Sequence, residues 1–255
     1  MKPLSPRYRL SAGLPSPPLD FETAVAQVAR AGFAYADIPA CLQRPLHHRE
    51  ALADSGLIVS CGILGEGLPT GYGLDSPAVE IRRATLEVLK AQVADIASLG
   101  ATHAWLLFGS KGGEQGLAGF GEACGLLADY AGQRMVKLCV GYASSSEFPS
   151  ASRMLDWLEH INHDNLGWAL DEDGQPHIET LDLIQRAGNR LYYVRVNAHD
   201  GVDDDATARQ VQERGKAILA GLKARRYEGT LALYSSTIES LSRYRELFEP
   251  LLTGV

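Results

Sequence analysis

Residues 78–108 read AVEIRRATLEVLKAQVADIASLGATHAWLLF. Leu86, Leu89, Val93 and Ile96 recur at three- and four-residue spacing. That spacing puts one apolar stripe along a helix, predicted over Ala78–Leu99. Gly100 ends it. His103–Phe108 is then a short, apolar, β-rich run, predicted as a strand. A long amphipathic helix, a glycine stop and a buried strand follow one another within 31 residues.

The same alternation extends in both directions. Upstream, Tyr8–Leu10 predicts a first strand, followed by Gly13 and the prolines Pro15, Pro17 and Pro18. Asp20 is placed to cap a helix over Phe21–Ala31, and Gly32 stops it. Phe33–Ile38 and Leu57–Cys61 predict strands two and three, flanking a short helix over His47–Ser55. Downstream, the predicted strands are Val136–Val140, Leu166–Leu170, Leu191–Val196 and Thr230–Tyr234. Between and after them, helices are predicted over Leu117–Tyr130, Ala151–His160, Ile178–Ala187, Ala206–Arg225 and Ile238–Leu252. Eight strands alternating with eight helices imply parallel pairing, and eight such units in 255 residues imply a closed (β/α)8 TIM barrel. No linker or composition break divides the chain, so residues 1–255 are expected to form a single domain. An open doubly wound sheet should carry a glycine-rich phosphate turn after strand one, and only Gly13 stands there.

Composition narrows the function classes. Apolar residues make up 45% and charged residues 22%, ordinary for a globular domain. Net charge is −7 with no basic cluster, so no nucleic-acid partner is expected. No apolar run approaches the ~18 residues of a membrane span, so no membrane partner is expected. Residues 1–18 hold no hydrophobic stretch and predict no secretory signal. Cys41, Cys61, Cys124 and Cys139 are scattered and read as reduced thiols in a cytoplasmic protein.

In a (β/α)8 barrel, chemistry sits at the C-terminal ends of the strands. The candidates there are Asp37, Glu66, Ser110, Lys111, Tyr142, Asp171–Asp173, His177, Arg195, Asn197, His199, Asp200 and Tyr234. Gly65–Gly73 is long enough to cover the barrel mouth. Ser110–Gly113 lacks the spacing of a phosphate loop, and Asp171–Gly174 lacks that of a calcium loop. His47 and His48 fall at a helix end and read as surface residues or caps. Trp105 and Trp168 fall inside strands and read as core.

Several pieces of the chain resemble the xylose isomerase-like barrels. They are Ala24–Asp37 (AVAQVARAGFAYAD), Ala94–Phe108, Asp164–Asp171 (DNLGWALD), Arg190–Asn197 (RLYYVRVN) and Tyr227–Tyr234 (YEGTLALY). The resemblance implies a sugar phosphate isomerase or epimerase. It also implies a divalent metal, Mn or Mg, held by a Glu on strand five, an Asp on strand six, a His on strand seven and a Glu on strand eight. Here those positions carry Gly141, Asp171, Arg195 and Tyr234, so only Asp171 matches. Arginine stays protonated and offers only donors, so it cannot ligate a metal. The expectation is therefore that no metal or other cofactor is held there. In its place, metal-independent acid–base chemistry on a small polar, anionic substrate is expected: an isomerisation, epimerisation or dehydration.

Asp171 is assigned as base, Arg195 as anion binder, and Tyr142 and Tyr234 as proton donors or positioners. Asp37, Glu66, Lys111, Asn197 and His199 are assigned to substrate binding. The competing readings are a pseudoenzyme or small-molecule binding protein on the same barrel, with Arg195 and Asp171 as a structural pair, and an enzyme that recruits a metal through residues such as His177, His199, Asp173 or Glu66. The resemblance also implies a homodimer.

Overall fold

The computed structural model describes residues 8–15, 19–108, 113–142, 150–172, 177–197 and 205–253. Its strands are β1 (Arg9–Gly13), β2 (Tyr35–Pro39), β3 (Ile58–Leu64), β4 (His103–Phe108), β5 (Lys137–Tyr142), β6 (Leu166–Glu172), β7 (Leu191–Asn197) and β8 (Thr230–Tyr234). Its helices are α1 (Phe21–Arg30), α2 (Leu46–Ser55), α3 (Val79–Ser98), α4 (Gly113–Gly132), α5 (Ala151–Ile161), α6 (His177–Ala187), α7 (Asp205–Ala224) and α8 (Ile238–Thr253). A single 3-10 turn, Gly188–Arg190, links α6 to β7. The strands close into a barrel in sequence order, β1 to β8. The chain is a (β/α)8 TIM barrel.

Local chemistry explains the boundaries. Asp20 caps α1 by accepting from Thr23 N at 2.7 Å, which also holds its carboxyl below the usual range. Gly32 and Gly100, with φ of 82° and 83°, make the left-handed step after α1 and α3. Helix α3 buries Leu86, Leu89, Val93 and Ile96, the predicted stripe. Helix α4 runs six residues further than its glycines suggest, four at the start and two at the end. Its glycines admit neighbours: a side chain at Gly121 would meet Ile161 and Trp157 of α5. Packing there outweighs the poor helix propensity of glycine.

Contacts group into two compact units. The first comprises Met1–Ala36, His47–Ile58 and Glu172–Val255. In it β1 and β7 pair with β8 in parallel, with Ser11 opposite Ala232 and Arg195 opposite Ala232. The second comprises Asp37–Leu46 and Val59–Asp171. In it β3, β4, β5 and β6 pair in order, with Trp105 opposite Cys139 and Leu107 opposite Gly141. No helix among the described residues is long and apolar enough to cross a membrane.

Candidate active site

In the first unit, the strand ends build a stacked arrangement. Arg195 lies two residues before the end of β7 and is only 8% exposed. Its guanidinium carbon sits 3.7 Å from the centre of the Tyr234 ring, at the end of β8. A buried guanidinium over an aromatic face is held by cation–π attraction, and its planar fork remains suited to an oxyanion. Gly13, the last residue of β1, makes room for that ring. A Cβ there would overlap Tyr234 Cδ1 and Cε1. Asn197 is half-buried at the end of β7, opposite Tyr234 in register.

In the second unit, Asp37 on β2 is fully buried and accepts from the Ser60 hydroxyl of β3. Gly141 ends one residue short of the β5 terminus, and a Cβ there would overlap the Trp105 indole Nε1 of β4. Trp105, read as core, is 7% exposed and helps line a cavity of about 400 Å³ with Glu66, Tyr72, Leu107 and Phe120. Glu66 also borders a second hollow of about 800 Å³, shared with Cys41, Gln43 and Gln92. Burial pushes its carboxyl above the usual glutamate range. Asp171 is partly buried near the end of β6.

The loop after β3 is tied at both ends. Gln92 of α3 accepts from Gly65 N and donates to the Glu66 carbonyl, each at 2.8 Å. Gly73 N donates to Thr85 Oγ1 at 3.1 Å. Behind it, Arg44 and Asp95 form a buried pair at 2.7 Å. Asp95 also accepts from Cys41 N, and Arg44 donates to the Pro39 carbonyl, which fixes the end of β2. Sequence reading missed Gln92, Arg44 and Asp95. The available signal was two polar residues among the apolar positions of α3.

Lys111 and His199 lie outside the described residues, as do Ser110, Asp173 and Asp200. The Tyr142 and His177 side chains also lie outside the description.

A family model described as Xylose isomerase-like TIM barrel matches residues 25–244. The chain belongs to the xylose isomerase-like TIM barrel family. No curated protein matches its sequence. Among solved structures, D-allulose 3-epimerase from Methylomonas sp. superposes with a TM-score of 0.76 at 17% identity, covering 97% of this chain and 99% of that one. A structure described as L-ribulose 3-epimerase gives 0.74 at 17% identity, with 97% and 95% covered. The 3-keto-D-glucoside 4-epimerase from E. coli gives 0.71 at 11% identity, with 97% and 100% covered. At such identities these likenesses bear on fold. Within this xylose isomerase-like barrel, the strand-end residues Arg195 and Tyr234 touch each other, and Gly141 lies against Trp105.

Proposed function

We propose that this barrel catalyses metal-independent proton transfer on a small polar, anionic substrate, as an isomerase or epimerase. The single observation that carries the reading is Arg195, buried on the face of Tyr234. By the family resemblance, these two positions would each hold a metal ligand. A guanidinium repels a dication and has no lone pair to give it. Gly141 offers no ligand, and the Trp105 indole takes the space a side chain would need. These residues do not fit a divalent metal.

Removing a proton next to a carbonyl leaves negative charge on the carbonyl oxygen. The family's metal would supply countercharge there. In this reading the Arg195 guanidinium supplies it as a fixed hydrogen-bond donor. Asp171 takes the proton, and Tyr142 and Tyr234 return or position it. Glu66, with its raised carboxyl, joins Asp37 and Asn197 in binding substrate hydroxyls, and Lys111 and His199 keep the same assignment. The structural relatives are epimerases of sugars and a keto-sugar glycoside, and this reading takes the anionic members of that class, sugar phosphates. A small molecule is the partner in this reading, and the barrel works as a cytoplasmic homodimer.

The test is exchange of substrate protons in heavy water, across a panel of sugars, sugar phosphates and keto acids, with chelator-treated protein. Exchange by the wild type that drops by about 10²–10³ in Arg195→Met supports the reading. Tight anion binding with no exchange anywhere in the panel would replace it with a small-molecule binding protein.

A further inference from the structure

Among the described residues, one group of three side chains brings metal-ligating atoms together. None of the three stands on a strand. Glu22 is in the first turn of α1, and His47 and His48 are in the first turn of α2. Glu22 Oε1 lies 3.1 Å from His47 Nε2 and 3.7 Å from His48 Nε2. The three ligand atoms all fall within 4.8 Å of one another. Adjacent residues on a regular helix do not face one another. Here both imidazoles nevertheless turn toward the same carboxylate oxygen of another helix. By sequence the histidines read as surface residues or caps, because they fall at a helix end; Glu22 lies 25 positions upstream of His47.

The arrangement is partly built. The Phe21 ring stacks on His48 with centroids 4.2 Å apart and planes within 19°, which orients that imidazole. The two histidine rings meet edge to face at 4.7 Å. The His47 side chain is 64% exposed, so it can rotate to close the remaining edge of the triangle. Zinc–nitrogen and zinc–oxygen bonds of about 2.0–2.1 Å put tetrahedral ligands roughly 3.3 Å apart. The two measured carboxylate–imidazole distances already bracket that value. Two imidazoles and one carboxylate suit zinc, copper, nickel or cobalt better than magnesium or calcium, which prefer all-oxygen shells. Three protein ligands leave open positions for water or for a ligand from solution.

We propose that Glu22, His47 and His48 form a site for one divalent transition-metal ion of the zinc class, bridging the starts of α1 and α2. The proposal is independent of the strand-end chemistry. It does not rest on the metal-independent reading, because none of its residues stands at a strand end.

The test uses the full chain without an affinity tag, stripped with chelator and titrated with zinc chloride by calorimetry at pH 7.5. One equivalent is expected to bind with micromolar affinity, and cobalt is expected to give a visible d–d absorption band on the same residues. Glu22→Gln, His47→Ala and His48→Ala should each weaken zinc at least about tenfold, with unchanged circular dichroism. Zinc binding with equal affinity in wild type and all three variants overturns the site, as does a wild type that takes up no zinc at micromolar concentration. His47 is the most exposed of the three, so His47→Ala decides the matter even if a partly buried variant loses structure.

Discussion

Gly13 has no side chain, and the Tyr234 ring uses the room. Replacing it with alanine forces the ring, and the guanidinium stacked on it, to move. Overpacking of this kind costs typically about 1–3 kcal/mol. Gly13→Ala should therefore lower the urea midpoint and reduce any activity that depends on Arg195, and an unchanged midpoint with unchanged activity would show that the ring is not clamped. Glu66 makes a second residue-scale prediction. Burial raises its carboxyl, so the folded protein holds that proton to higher pH than the unfolded chain does. The folded state is then unpenalised at low pH and loses stability as pH rises through the raised value. Glu66→Gln removes this term, so the variant should gain on the wild type as pH climbs above the ordinary carboxylate range. A difference that stays flat with pH would contradict the shift. The strand-end identities were legible in the sequence, because position on a strand sufficed to find Arg195 and Tyr234. Their contact, and the overlap of Trp105 with the space above Gly141, were not. Those depend on which strands become neighbours.

At the scale of elements, α3 does more than bury a stripe. Gln92 is 1% exposed and holds the Gly65–Glu66 turn by two hydrogen bonds, so its face sets the start of the loop bordering both hollows. Gln92→Leu leaves a backbone donor and acceptor without that partner, at about 1–3 kcal/mol for a buried group. The expected readout is faster amide exchange at Gly65 together with a lower urea midpoint. Asp95 sits one turn further along the same helix and anchors Arg44 and Cys41 of the segment after β2. Removing one partner of a buried pair is strongly destabilising, about 3–5 kcal/mol, so Arg44→Met should cost far more than the loss of a surface arginine. A change below about 1 kcal/mol would mean the pair is not buried in solution. The alternation of strands and helices was legible because apolar periodicity is local. Boundaries slipped where partners are distant. Strand β1 was read as Tyr8–Leu10 but spans Arg9–Gly13, because pairing with β8 carries it on through Ala12 opposite Leu233. Gly121 of α4 misleads in the same way, since its neighbours Trp157 and Ile161 on α5 lie far along the chain.

For the whole molecule, eight strands close in sequence order and bring their C-terminal ends to the face where this architecture holds its chemistry. Fold alone does not select a reaction, because this barrel hosts many. In the proposed reading the selection rests on charge. A guanidinium and a phenol occupy two positions where the family resemblance places metal ligands, and one carboxylate, Asp171, remains. Any zinc held by Glu22, His47 and His48 is a separate matter, removable by His47→Ala without touching the strand ends. The most direct measurement is proton exchange on the substrate that the panel identifies, made before and after exhaustive chelation. Metal-independent proton transfer predicts exchange that survives chelation and is lost in Arg195→Met. Exchange abolished by chelation, restored by Mn or Mg and dependent on Asp171 as the metal's ligand would contradict it.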